Sequence, residues 1–225
     1  INSKVKNYNS KLKFEINDAF IKLNLTKAAI NINIKDSNLF AENSSIKISN
    51  LDFKLNLIKF IQKENSVKNI NIQSVGNSIK SVTSFLNTID YDTSRYIFYS
   101  QIQEGLIDFE LNTQHDNINQ DLYSYKISGS VKDAKLNLIG HGNLNEINFN
   151  FDAQEKQINI NNLNFNYQKI NFLSKNIKIK SKSGKYLIDG NIENLKTSIK
   201  PNSLFNLVNI KQDYLSSKNI LLESK

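Results

Sequence analysis

Apolar and polar residues alternate along most of this chain, and the alternation predicts β-strands. In Ile30-Asn31-Ile32-Asn33-Ile34, three isoleucines fall on one side of an extended backbone and two asparagines on the other. The same pattern recurs at 51–55, 70–72, 147–151, 158–160, 163–167 and 177–179. Parallel α/β sheets would instead show continuous apolar strands separated by long amphipathic helices, which this sequence lacks. The pattern therefore predicts an antiparallel sheet with one apolar and one polar face.

Clusters of polar residues interrupt the alternation and predict turns at 35–38, 154–157 and 182–185. Between about 122 and 192 the successive runs predict a meander, in which each strand pairs with the next one along the chain. We divide the chain into an N-terminal β region, 1–103, and an antiparallel meander, 104–225, which continues the same groove.

Three short segments depart from period two and predict helices. Ser78 to Ile89 places apolar residues at three- and four-residue spacing, which is typical of an amphipathic helix. A brief helix is expected near 57–62, and another near 202–209, after Pro201. The predicted fold class is mainly β, with an antiparallel, strongly twisted and curved sheet that forms an open groove (β-taco-like) with a few short helices.

The sequence predicts a shared apolar face but leaves its partner open. Its candidate lining residues are Ile30, Ile32, Ile34, Phe53, Leu55, Phe149, Phe151, Ile158, Ile160, Phe165, Ile177 and Ile179. In a β-sandwich, a second sheet would bury this face. In an open trough, acyl chains would occupy it, since each methylene removed from water contributes about 0.8 kcal/mol. Pattern alone does not separate these alternatives.

Composition narrows the possible functions. The 225 residues carry a formal net charge of +8, but the lysines are spread along the chain and the one arginine is Arg95. Nucleic-acid modules usually gather their cations into a patch, so we expect a solvated outer sheet face and no nucleic-acid partner. The chain has no cysteine and no apolar run long enough to span a membrane. It begins at Ile1 and contains no Met, and we expect it to be an internal fragment.

Catalytic signals are scarce, and we expect no enzyme, cofactor or metal site. His115 lies in a polar stretch and His141 lies between two glycines, without the spacing of a metal pair. Asp90 and Asp92 follow the helix predicted at 78–89 and are expected to cap or solvate its end. No nucleophile elbow, phosphate-binding loop or dinucleotide fingerprint is present.

Several stretches resemble the AsmA-like family of envelope proteins. The sequence 51–64, an apolar strand ending in a short turn, followed by the Ile-rich 67–72, is similar to the family's N-terminal periplasmic region. The segments 125–134 and 186–192 are similar to its repeated strands of the x-I-x-G-x-I/V kind. This resemblance implies a periplasmic β-groove in a Gram-negative bacterium, anchored to the inner membrane outside this fragment, which carries phospholipid acyl chains toward the outer membrane in support of outer-membrane biogenesis.

Two other classes of protein remain as alternatives. A structural β-sandwich module of a surface, adhesin or phage protein would show the same alternation with its apolar faces closed. A carbohydrate-binding sandwich would need exposed aromatic residues, for which the chain offers no Trp and one tight cluster, Tyr91, Tyr96 and Tyr99.

Overall fold

One antiparallel sheet accounts for most of the described chain. A computed structural model describes residues 12–42, 44–64, 66–89, 93–115, 123–140, 142–182, 185–199 and 220–224. Within them, thirteen strands form a single sheet that does not close on itself. The strands are β1 (Leu12–Glu15), β2 (Asp18–Asn24), β3 (Ala29–Ala41), β4 (Ser44–Asn56), β5 (Val67–Ser78), β6 (Ile102–His115), β7 (Tyr123–Leu138), β8 (Gly142–Gln154), β9 (Gln157–Tyr167), β10 (Ile170–Lys182), β11 (Lys185–Gly190), β12 (Glu193–Ile199) and β13 (Ile220–Ser224). The helices are α1 (Leu57–Ile61), α2 (Ile79–Ile89) and α3 (Thr93–Ser100).

The strands from β3 to β10 lie in chain order, each antiparallel to the next. This confirms the predicted fold class and the meander. At each edge of this meander, two strands pair with different parts of the same outer strand. On β3, the first half pairs with β2 and the second half with β1. On β10, the second half pairs with β11, and β12 pairs near Phe172.

Irregularities in the long strands bend the sheet. Asp36 in β3, Asp133 in β7, Glu146 in β8 and Asn162 in β9 have positive φ angles of 48°, 50°, 52° and 54°. The register of the neighbouring strands shifts beside Asp133, Glu146 and Asn162. Bulges of this kind bend a strand and increase its local twist. We call the series of irregular positions the bulge line, and it explains how a meander of long strands becomes curved.

The bulge line also changes which alternate residues face the apolar side. In β4, Ile48 and Leu51 belong to the same buried cluster although three positions separate them. In β3, opposite this point, Ile34 and Leu39 contribute to that cluster. Our prediction of a turn at 35–38 was therefore wrong, because Asp36 takes a left-handed conformation inside a continuous strand. The turn predicted at 154–157 is confirmed between β8 and β9.

Two of the predicted helices are confirmed, and they lie where the sequence places them. α1 occupies 57–61, and α2 occupies 79–89. Val82 and Phe85 of α2 are buried against Phe14, Ile46 and Ile48 of the sheet. The helix α3 was not predicted, and the helix predicted at 202–209 lies outside the described residues. Strand β6 passes through our division at 103/104 and pairs with strands on both sides; the division itself stays a prediction.

Candidate functional site

A continuous apolar row crosses ten strands of the sheet. Residues that face each other in an antiparallel pair project from the same face. From β2 to β11, the paired residues are Ala19, Ile34, Leu51, Ile72, Leu111, Ile127, Ala153, Ile158, Ile179 and Ile188. Nine steps between strands at about 4.8 Å each give the row a length of about 43 Å along the sheet. It is therefore longer than the hydrocarbon core of a bilayer is thick, roughly 30 Å.

The adjacent row, on the opposite face, is polar at every position. Its members are Asp18, Lys35, Asn50, Gln73, Glu110, Ser128, Asp152, Asn159, Lys178 and Asp189. Successive residues of one strand point to opposite faces, so the two rows lie back to back. The sheet thus separates an apolar surface from a polar one over the width of ten strands.

The register places all twelve predicted lining residues on the apolar face. Beyond the first row, Ile32, Phe53 and Ile70 are direct neighbours, as are Phe151, Ile160 and Ile177. Phe165 stacks on Phe172 with a ring separation of 5.2 Å, and Phe149 lies 6.3 Å from Phe151. Their shared face is an observation, whereas their contact with lipid stays a prediction.

Helix α2 covers only part of this apolar face. On its side of the bulge line the buried residues are concentrated, including Phe14, Ala41, Ile46 and Ile48, and we call this side the covered half. The other side carries eleven of the twelve predicted residues, all but Phe165, and we call it the open half. At its border with the covered half, Ile34 and Leu51 still belong to the same buried cluster. Of the twelve, only Ile34 is buried, ten are half-buried, and Ile158 is 40% exposed.

The open half is a single layer in the described residues. All described strands belong to one sheet, so they do not provide the second sheet of a sandwich. Phe53 on the apolar face and Asp52 on the polar face are both half-buried. Phe53 packs against the buried cluster that includes Val82 and Phe85 of α2, so this cluster borders the open half. Within the described residues, the apolar face of the open half beyond this cluster is accessible to a ligand that approaches it from solvent.

Asparagine side chains connect strands on the polar face. Asn33 Nδ2 donates to Asn50 Oδ1 and Asp52 Oδ1, both at 2.6 Å. Farther along, Asn71 Nδ2 donates to Glu110 Oε1 at 2.7 Å and to Asn112 Oδ1 at 2.6 Å. Sequence reasoning treated the outer face of the sheet only as solvated and missed this role. The recurrence of asparagine at alternate positions opposite isoleucine was the available signal.

Two carboxylates on the polar face have lowered pKa values. The pKa of Asp108 is lowered chiefly by a hydrogen bond from Lys132 Nζ, at 2.8 Å, and then by one from the backbone N–H of Gly76, at 2.6 Å. The pKa of Glu110 is lowered by hydrogen bonds from the amides of Asn112 and Asn71. Both charges are engaged in cross-strand bonds, which is a structural use of a carboxylate.

The remaining candidates for chemistry are sparse. Among the residues that the structure describes, no group of three His, Asp or Glu side chains is arranged to hold a metal. The backbone of His115 ends strand β6, while His141, Asp90, Tyr91 and Asp92 lie outside the described ranges.

Tyr96 and Tyr99 line a polar cleft of about 820 Å³ between α2, α3 and the β3–β4 connection. Serine and threonine hydroxyls, together with Asn87, make up much of its lining. This cleft gives the carbohydrate-binding alternative a candidate location.

Comparison with known proteins identifies no relative. No protein-family model, no curated protein and no solved structure matches the chain. Within the described residues, no helix has both the length and the apolar character needed to cross a membrane.

Proposed function

We propose that the open half of the apolar face holds the acyl chains of phospholipids and allows them to move along the sheet. The proposed role is that of a non-enzymatic segment of a lipid-transport protein. The observation that supports it is the unbroken row of ten apolar residues from Ala19 to Ile188. Ile34 and Leu51 of this row lie in the cluster under α2, and no second sheet among the described residues covers the others.

The physical basis is burial without directional contacts. An acyl chain leaves water at a gain of about 0.8 kcal/mol per methylene, and half-buried Ile and Phe side chains provide the matching apolar surface. None of these side chains forms a hydrogen bond that would fix a chain at one position. A lipid can therefore move from one strand to the next with little change in contact energy.

The cellular setting is part of the same proposal. The resemblance to AsmA-like proteins favours a periplasmic location, with attachment to the inner membrane through a segment outside this chain. The lipid would then pass toward the outer membrane while its acyl chains stay on the sheet. The polar face would remain in water, as its asparagine and lysine side chains favour.

The proposal is tested by placing a photoreactive amino acid at each position from 148 to 154 in cells. These positions alternate between faces, with Phe149, Phe151 and Ala153 on the apolar side and Asn150 and Asp152 on the polar side. We expect lipid crosslinks at 149, 151 and 153 and none at the intervening positions. Lipid crosslinks of equal yield on both faces, or none on either, would overturn the proposal.

The same crosslinking experiment distinguishes a lipid-transport protein from a structural β module. Crosslinks from the apolar positions to protein, without lipid, would favour a structural module whose face a second protein layer covers.

For the carbohydrate alternative, binding of a sugar would require the cleft beside Tyr99. Tyr99→Ala would then abolish retention on immobilised glycans, and Tyr125→Ala, distant in the fold, would not.

A further inference from the structure

One end of the sheet carries exposed apolar residues in two adjoining connections. The β2–β3 turn contains Leu25, which is 72% exposed. Helix α1 contains Ile58 and Phe60, each 55% exposed, and Ile61, 71% exposed. A backbone hydrogen bond of 2.8 Å from Leu57 N to Ala28 O joins the two connections. We call residues 25–28 and 57–64 together the tip.

The tip is held in a defined conformation by its own hydrogen bonds. In the turn, Asn24 Oδ1 accepts from Thr26 Oγ1 at 2.8 Å and from Lys27 N at 3.0 Å. At the start of α1, Asn56 Oδ1 accepts from Ile58 N at 3.0 Å and from Lys59 N at 3.3 Å, which caps the helix. Since the backbone is satisfied locally, the exposed apolar side chains are presented by an ordered structure.

Basic residues accompany the apolar ones. The tip contains Lys27, Lys59 and Lys63 and one acidic residue, Glu64. Apolar side chains at a surface, together with lysines, are the combination that inserts into the interfacial region of a bilayer and attracts anionic headgroups. The net charge of +8 on the whole chain acts in the same direction.

We propose that the tip docks on the surface of an anionic phospholipid bilayer. The side chains of Leu25, Ile58, Phe60 and Ile61 enter the headgroup–acyl boundary, and the lysines lie at the phosphates. Within the described chain, the open half of the sheet begins directly behind this end, with Ile30 and Leu55 as the first cross-strand pair after Ala29 and Asn56. The inference concerns attachment to a membrane and stands whether or not lipid enters the trough.

A single tryptophan tests the insertion. The chain contains no Trp, so Phe60→Trp supplies a reporter without background. We expect its emission to shift to shorter wavelength on addition of vesicles containing anionic phosphatidylglycerol, and to be quenched by lipids brominated on the acyl chain. The matched control is Ile139→Trp, because Ile139 is likewise exposed, at 71% against 55% for Phe60, but lies in the β7–β8 turn at the opposite end of the strands.

The charge requirement is tested with the chain that retains Phe60. Each lysine near an anionic surface contributes about fivefold in affinity, so Lys27→Glu, Lys59→Glu and Lys63→Glu together should weaken vesicle flotation by roughly 100-fold or more. Lys47→Glu, Lys80→Glu and Lys169→Glu change the net charge equally at positions away from the tip, and this triple variant should retain most of the binding.

The outcomes are decisive in both directions. A blue shift in the Phe60→Trp variant but not in the Ile139→Trp variant, together with loss of flotation in the tip triple variant alone, supports docking through the tip. Equal responses of the two tryptophan variants, equal effects of both triple variants, or no flotation of the unmodified chain with anionic vesicles would overturn it. A lipid crosslink on the open half would not support docking through the tip, because crosslinking and vesicle binding are independent measurements.

Discussion

Phe151 lies over Gly129, its direct cross-strand partner on the apolar face. A Cβ added to Gly129 would lie 2.9 Å from Phe151 Cζ and 2.1 Å from the backbone oxygen of Asp108. On the other side, Gly129 pairs with Phe109, whose Cα would be 3.0 Å from the added atom. The glycine thus allows two phenylalanines to approach the centre of the sheet closely, an arrangement known to compensate for a glycine in a strand.

We expect Gly129→Ala to destabilise the fold by about 1–3 kcal/mol, because the clash involves backbone atoms that cannot move independently. Urea unfolding followed by circular dichroism measures the change. The control is Gly140→Ala, where nothing lies within 4 Å of an added Cβ. Only the positive φ of 78° opposes a side chain there, and we expect this variant to lower the free energy of unfolding by about 1–2 kcal/mol. If Gly129→Ala leaves the stability unchanged while this control lowers it, the close approach is not present in solution.

The bond between Lys132 and Asp108 makes stability depend on pH. Because the folded pKa of Asp108 is lowered, its contribution is present above the unfolded value, about 3.9, and is lost as the pH falls through the folded value. The Lys132 side chain is 57% exposed, so we expect only about 0.2–1 kcal/mol from this pair.

Asp108→Asn should therefore lower the free energy of unfolding at pH 7 and flatten its decrease between pH 5 and pH 2. Urea unfolding at a series of pH values gives this profile. Asp189→Asn, on the exposed edge strand β11, serves as the comparison. A profile for Asp108→Asn that parallels the unmodified protein throughout would contradict the assignment.

The strands could be predicted because alternation reports directly on the two faces of a single sheet. The bulge line could not be predicted in the same way, since a bulge interrupts alternation just as a turn does. At Asp36, only the sequence of the partner strand β4 distinguishes a bulge from a turn. There the apolar positions change from Ile46 and Ile48 to Leu51 and Phe53, which indicates that both strands continue past an irregularity.

The apolar face was predictable, whereas its coverage was not. Residue pattern identifies which side chains share a face, but whether a helix lies over them depends on tertiary contacts of α2. Helix α3 escaped prediction because its apolar residues are consecutive at 96–99 and not spaced at three and four. The tip was missed for a related reason, since exposure of Ile58 and Phe60 cannot be told from burial in a short apolar run.

The bulge at Asp133 provides a test of the bent sheet. A non-glycine residue at φ 50° is strained, and a β-branched residue is strained most. We expect Asp133→Val to cost about 1–2 kcal/mol more than Asp133→Gly. Thermal or urea unfolding of the two variants measures the difference. Equal stabilities would show that β7 does not adopt this conformation.

Helix α2 should be the element on which the covered half depends. Phe85 is 4% exposed and packs in the same cluster as Ile46 and Ile48, whereas its neighbour Leu86 is 43% exposed. Removing a buried phenylalanine side chain costs about 3–5 kcal/mol, through lost burial and the cavity that remains. We therefore expect Phe85→Ala to reduce the free energy of unfolding by that amount and Leu86→Ala by less than about 1 kcal/mol. Comparable losses in the two variants would mean that α2 does not present this side to the sheet, and the division of the apolar face into a covered and an open half would then fail with it.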